Sequence, residues 1–533
     1  MKAHRRLFIF LLLAASIAGC ATRPVLILCD PLASLNRTSR TTHAVQHAQT
    51  AWGQLAGART SGEQQRALAE YSAATGDLLK VLASTSPLTE WRGERQIGTT
   101  RLRFDTSDDK RSCSPAHYEA IAPITTLRHN SAVPEATREG LGVPLLAKLR
   151  REVRAGTRAP GYPESGQFTP LTAWLEFVKG AAILHFADPR EMQSVTIGWH
   201  IYPLAKDIAT TAHARLGDGN FFSIALRGLF RPEQFLQKRG VYLSGAYRPD
   251  KIPVILSHGL LSDPHIWENL AAAILADPVL GRRCQIWYYI YPTGAAVPSS
   301  AEAFREKLAE VRRYYDPEGH DVERRNIVLI GHSMGGLLSR MLSIDSGEDF
   351  RRAYFTKPLD EIRMSRELRE EARAMLYFPR TPGVQRTIFI ATPHRGSHIA
   401  SGFLQQLAHW LVRLPQRTLH TAMELGTLNM DALNPRLHAF RNLGGTSIDT
   451  LAPEHPYFAA LAARPIGVPF HSIVGNLGFS GPLALSTDGA VPYWSSHVEG
   501  ATSEKIIPFS HLCVERRETI EEVLRILRSH LKQ

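Results

Sequence analysis

Ile327-Val328-Leu329-Ile330-Gly331-His332-Ser333-Met334-Gly335-Gly336-Leu337-Leu338 is the stretch that decides how this chain folds. The apolar run Ile327 to Ile330 predicts a buried strand, and Gly336 to Leu342 predicts a helix. Between them stands a G-x-S-x-G pentapeptide. A strand turning sharply into a helix forces the central side chain into strained, exposed geometry, and Gly331 and Gly335 leave room for the tight crossing. The backbone N–H after the serine then lies at a helix N-terminus, where negative charge is stabilised. Ser333 is therefore a candidate nucleophile.

Working outward, strands and helices alternate from Gly240 onward. Ile252 to Leu256 predicts a buried strand. A helix from about Pro264 to Ala276 follows, with Asp263 as N-cap and Pro278 as its stop. Gln285 to Tyr291 is the next strand. The helix after it places Phe304, Leu308, Val311 and Tyr315 on one face, with Ser299 and Glu302 in capping-box spacing. Further strands are expected at Thr387 to Ala391, Phe470 to Val474 and Lys505 to Ile507. A last helix aligns Ile520, Val523, Leu524, Leu527 and Leu531. Continuous apolar strands alternating with amphipathic helices predict an α/β fold, its mainly parallel sheet covered on both faces.

A serine hydroxyl needs a base to take its proton and an acid to orient that base. In such a sheet both come from loops at the carboxyl ends of later strands. Asp488 lies in Ser486-Thr487-Asp488-Gly489-Ala490-Val491-Pro492, past the Phe470 strand, and His511 follows the Lys505 strand. With His258-Gly259 after the first strand and Thr392-Pro393-His394-Arg395-Gly396-Ser397 after a later one, residues from about Gly240 to Gln533 resemble the α/β-hydrolase fold. Within it they resemble the bacterial lipase/esterase branch. The resemblance implies Ser333 as nucleophile, His511 as base, Asp488 as its orienting acid, and an oxyanion hole from the N–H groups of Leu260 and Met334. It implies no cofactor and no metal. Competing candidates are His497 for the base and Asp345 or Asp449 for the acid. His258, His332 and His394 read as structural or loop-shaping, and Asp263 as a helix cap.

The chain has 533 residues, too many for one ordinary core, and divides near Arg239. Residues 20–239 are expected to form an α+β domain of unknown role, with two helices between Ala44 and Ser84 and a capping box at Ser61 and Gln64. Strands are expected at Ala181 to Phe186 and Val195 to Ile201. Residues 240–533 are expected to form the hydrolase domain, with cap insertions near 346–383 and 401–445. In the second insertion Phe403, Leu404, Leu407, Trp410, Leu411 and Leu414 recur at helical spacing. Residues 1–19 read as a signal peptide: a basic start at Lys2, His4, Arg5 and Arg6, then an apolar stretch too short to span a bilayer. Ser16-Ile17-Ala18-Gly19-Cys20 resembles a lipoprotein lipobox, which implies cleavage before Cys20, acylation of its thiol, and an anchored envelope protein, by its Ala21 an outer-membrane one. Cys29, Cys113, Cys284 and Cys513 permit disulfides but no pairing follows from sequence, and their spacing is not that of a zinc site. The formal charge of +12 is spread as scattered arginines, with no basic run interleaved with aromatics, so no nucleic-acid partner is expected. The combined expectation is a lipid-anchored serine hydrolase acting on an acyl ester or lipid substrate. An acyltransferase on the same fold and a non-catalytic envelope binding protein stand as rivals, and the oligomeric state is left open.

Overall fold

The computed structural model describes residues 37–532 apart from 106, 108–112, 125–131, 152, 155–156, 217–237, 320–325, 398–430 and 440–449. The signal peptide, Cys20, Cys29, Asp449 and most of the 401–445 insertion lie outside the described residues.

A seven-stranded sheet runs in the order Gly240–Leu243, Cys284–Ile290, Ile252–Ser257, Ile327–His332, Val384–Ile390, Phe470–Gly475, Ser503–Ile507. Every neighbouring pair is parallel except the first, where the edge strand Gly240–Leu243 runs antiparallel to Cys284–Ile290. This is the α/β-hydrolase arrangement. The strands Ile252–Ser257 and Ile327–His332 are buried at every position, as parallel strands covered on two faces must be. Ile255 and Leu329 enter one core with Phe304, Leu308, Leu337 and Met341. Val254, Leu256, Val328 and Ile330 enter the other with Ala271, Ile274, Val523 and Leu527. The predicted stripe of the last helix, Arg517–His530, supplies that second face.

Helix starts follow local chemistry, and two differ from expectation. The capping box lies one residue earlier than Ser61: Thr60 is extended and accepts from the Glu63 N–H, while the Glu63 carboxylate accepts from the Thr60 N–H. The helix expected to open at Ser299 spans Val297–Tyr315 instead, with Pro298 in its first turn, where a fixed φ and a missing N–H cost nothing. Asp263 does cap as predicted, accepting from the His265 N–H.

The N-terminal residues form an α+β layer. Its six strands run Glu94–Ile97, Thr100–Phe104, Ala181–Ala187, Phe168–Val178, Val143–Leu149, Tyr118–Pro123, with helices Arg37–Gly57 and Ser61–Ala83 sharing their core. Val195 to Ile201 is not one strand. Gly198, at φ +59°, turns it into a hairpin of Ser194–Ile197 and His200–Pro203 with Trp199 exposed at the tip. This layer does not stand apart from the large sheet. Helix Ile208–Leu216 packs on helix Glu268–Ala276, and Val133 and Ala136 join the same apolar cluster as Val254 and Leu256.

Residues 346–383 contribute helices Asp349–Tyr354 and Arg366–Leu376, whose Phe350, Ala372 and Leu376 enter the core beside Val297–Tyr315. The segment is tied at both ends, Ser346 N–H to the Phe378 carbonyl and Thr381 N–H to the Leu342 carbonyl. Cys284 is buried at the start of its strand. Cys113, Cys284 and Cys513 form no disulfide among the described residues.

Candidate active site

Ser333 caps the helix Met334–Leu342 directly after the strand Ile327–His332, at φ +53° and ψ −124°. A side-chain-bearing residue in this region costs roughly 1–3 kcal/mol and persists only where its surroundings impose it. Here they do. A Cβ on Gly331 would strike the backbone of Gly335 and Gly336, and one on Gly335 would strike the carbonyls of Ser257 and His258. Only glycines allow the strand, the helix and the neighbouring strand to cross this closely.

The structure brings three of the sequence-predicted residues into one chain of hydrogen bonds. His511 Nε2 lies 2.9 Å from Ser333 Oγ, and His511 Nδ1 lies 2.7 Å from Asp488 Oδ2. An ionised carboxylate only accepts, so Nδ1 carries the imidazole proton and Nε2 is left to accept from the serine hydroxyl. Asp488 is fixed independently. Its Oδ1 accepts from the N–H groups of Ala490 (2.8 Å) and Val491 (2.6 Å), and its carbonyl accepts from the His511 N–H at 2.8 Å. Burial alone would lower the His511 pKa; the adjacent Asp488 charge and its hydrogen bond outweigh that, and the net shift is upward.

The other histidines are held elsewhere. His332 Nε2 donates to the His511 carbonyl at 2.9 Å, and burial followed by the nearby His511 pushes its pKa down to about 3. It is a neutral clamp on the loop that carries the base. His258 is buried and stacked on Tyr291, whose hydroxyl donates to the His258 carbonyl at 2.6 Å. His394 accepts from Arg340, and burial and that guanidinium hold it well below the ordinary histidine range. His497 is bound to Glu504 at 2.7 Å and to Tyr493, not to Ser333. Asp345 accepts from the Arg380 N–H, and Asp263 serves its helix.

The segment Thr392 to Ser397 acts as a brace for the acid loop. Ser397 Oγ donates to the Ala490 carbonyl, Ser495 Oγ donates to the Gly396 carbonyl at 2.6 Å, and Arg395 holds the carbonyls of Trp494 and His497. The turn His258-Gly259-Leu260 lies against the serine: a Cβ on Gly259 would stand 3.0 Å from Ser333 Cβ. Met334 follows Ser333 in sequence, and the turn that carries Leu260 approaches the serine through Gly259. Among the described residues no group of three or more His, Cys, Asp or Glu could hold a metal ion, and no helix is long and apolar enough to cross a membrane.

One feature beside the site escaped sequence reasoning. Leu477 (55% exposed), Phe479 (43%), Leu483 and Leu485 (75%) stand out on the loop between the Phe470 strand and Asp488, with Trp494 and Phe509 exposed beside it. Periodicity could not flag it, because the loop has none. The signal available was only that Leu477-Gly478-Phe479-Ser480-Gly481-Pro482-Leu483-Ala484-Leu485 is apolar where turn residues should bring polar partners.

No protein-family model matches the chain, and no curated protein does. Solved structures are similar over about half of it. The mature Bacillus licheniformis lipase BlEst2 is 16% identical with a TM-score of 0.31, covering 54% of this chain and 97% of that one. Esterase B from Lactobacillus rhamnosis is 14% identical with a TM-score of 0.29, covering 54% and 78%. Phospholipase PlaB from Legionella pneumophila is 13% identical with a TM-score of 0.30, covering 53% and 64%. At such scores the fold rests on the strand order itself, and the chemistry on the side chains.

Proposed function

We propose that this chain is a serine hydrolase of carboxylic esters, working through an acyl-serine intermediate. The observation that carries the reading is the unbroken Asp488–His511–Ser333 hydrogen-bond chain ending on a strained helix N-cap. In this reading Ser333 Oγ attacks the ester carbonyl while His511 Nε2 takes its proton. The imidazolium formed is stabilised by Asp488 and then protonates the leaving alcohol. Water, deprotonated by His511, releases the acid and restores Ser333. The N–H groups of Leu260 and Met334 would hold the oxyanion, each such donor lowering the barrier by roughly 2.7–4 kcal/mol.

The exposed apolar loop beside Asp488 favours water-insoluble acyl esters of the lipase or phospholipase type over small soluble ones. An apolar cluster of this kind is stabilised when it leaves water for lipid. The reading also keeps the N-terminal lipid anchor on Cys20, an envelope location, and residues 20–239 and 240–533 as its two parts. The same acyl-serine could be intercepted by an acceptor alcohol, which would make the chain an acyltransferase.

The test is labelling by a fluorophosphonate probe, run on the parent, Ser333→Ala and His511→Ala. The expected result is a labelled parent, no label in Ser333→Ala and strongly reduced label in His511→Ala. A folded parent that stays unlabelled with and without lipid would end the hydrolase reading and leave the non-catalytic binding protein.

A further inference from the structure

A second site lies at the other end of the sheet. A cavity of about 500 Å³ opens where the N-terminal layer meets the starts of the strands Ile252–Ser257 and Cys284–Ile290. Lys251 and Cys284 line it, and the strand that Lys251 precedes is about 16 Å long. The cavity is therefore separate from Ser333, which lies beyond the strands' carboxyl ends.

Its charges do not balance. Four cations line it (Arg190, Arg215, Arg248 and Lys251) against three carboxylates, Asp188, Glu191 and Asp250. Three pairings are settled. Arg190 grips Asp188 through two nitrogens, Arg248 grips Asp250 at the exposed rim at 3.0 Å, and Lys251 lies 3.6 Å from Glu191. Arg215 is left over, and it is only 6% exposed. Its Nε donates to the Phe168 carbonyl at 2.9 Å and its Nη1 to Ser244 Oγ at 3.4 Å, but no described carboxylate reaches it. Burial pulls its pKa down to about 9, as an uncompensated interior charge requires. The remaining nitrogen, Nη2, lies beside Gly245, where a Cβ would stand only 3.3 Å away, so the glycine keeps that approach open. A buried cation without a counter-charge is costly unless an anion completes it.

We propose that this cavity binds a small organic phosphate, its oxyanion held by Arg215 with Lys251 and its organic part against Leu149, Leu275 and Ile286. The guanidinium offers the planar, multi-donor geometry that suits phosphate oxygens. The volume lies in the range of small-molecule sites and far exceeds what one phosphate fills. The site is independent of the serine chemistry, so its test reads binding and stability rather than turnover.

The experiment is calorimetric titration of the purified full chain with inorganic phosphate and, separately, with glycerol 3-phosphate, paired with urea unfolding. Saturable one-to-one binding is expected for glycerol 3-phosphate, at least ten-fold weaker in Arg215→Met and in Lys251→Met. Tighter binding of inorganic phosphate would keep the oxyanion site and assign free phosphate as its occupant. Without phosphate, Arg215→Met is expected to unfold at the same or higher urea than the parent, because an unpaired buried charge has gone. With phosphate, only the parent is expected to gain stability. If Arg215→Met fails to fold, Lys251→Met alone is the second test and should still weaken glycerol 3-phosphate binding at least ten-fold in an intact protein. No saturable binding of either phosphate to the parent, or unchanged binding in Arg215→Met, would overturn the proposal and leave Arg215 a brace between Phe168 and Ser244.

Discussion

Asp488→Asn is the sharpest perturbation of the proposed site, because the structure dictates what the amide must do. In the parent, Asp488 Oδ1 accepts two backbone N–H bonds and Oδ2 accepts one from His511 Nδ1, all in a position only 2% exposed. An asparagine has one acceptor oxygen and one donor nitrogen. If the nitrogen faced Ala490 and Val491, three buried donors would meet with no acceptor, at about 1–3 kcal/mol for each bond lost. The oxygen therefore stays on the two N–H groups and the nitrogen faces His511. It then donates to Nδ1, which forces the proton onto Nε2, and Nε2 can no longer accept from Ser333. The fold is expected to survive while kcat/KM for a soluble p-nitrophenyl ester falls by ~10³–10⁴, which is about 4–5.5 kcal/mol of barrier. A second signature follows from His511. Its folded pKa is raised because Asp488 outweighs burial, so parent activity should rise with pH as that imidazole loses its proton. With the charge gone, burial acts alone and the acid limb of residual activity should move to lower pH. A variant that kept more than a tenth of parent kcat/KM, or whose acid limb did not move, would refute Asp488 as the orienting acid.

Gly335→Ala should be more damaging than Gly336→Ala in urea unfolding. The first Cβ meets the fixed carbonyls of Ser257 and His258, the second only the Thr392 side chain, where overpacking costs about 1–3 kcal/mol; equal losses would contradict the crossing geometry described. Stability should fall as pH drops from about 6.5 towards 3. Folded His332 titrates near 3, so in that window the unfolded chain holds more protons, and the stability present above 6.5 is lost at a scale of ~3–5 kcal/mol from this residue. His332→Gln should flatten the slope of the urea midpoint between pH 4 and 7, and an unchanged slope would show that His332 is not held neutral. Leu485→Glu with Phe479→Ser should leave soluble-ester turnover unchanged but lower turnover of esters in anionic vesicles ~10-fold or more, since each buried apolar side chain contributes about 1.5–3 kcal/mol. Equal effects on both substrates would remove the loop from lipid recognition.

Much of the central sheet was legible because its inner strands are short, apolar and rich in β-branched residues. Ile252 to Leu256 and Ile327 to Ile330 are apolar runs of strand length, as a strand buried on two faces accepts. Ser333 could be named because it follows such a strand directly; Asp488 and His511 could be named because each follows a later, less regular strand of the same sheet and completes the Ser, Asp, His order. The brace built by Ser397 and Arg395 was not legible, because it consists of side chains reaching backbone carbonyls about a hundred residues away. Neither was the role of Arg215. An arginine among scattered arginines looks like surface charge until tertiary packing removes it from water. The hairpin at Gly198 was missed because alternation continues through a two-residue turn and reads as one strand.

The apolar cluster shared by Val133, Ala136, Ile208 and Ala212 with Leu270, Ala271 and Ile274 limits how this protein can be dissected or grafted. A fragment starting at Gly240 would keep every residue of the serine site and yet present an oily face of its first large helix to water. Such a fragment should clump rather than float free. Grafting the catalytic half onto another partner would need a replacement for Ile208–Leu216 to cover that face.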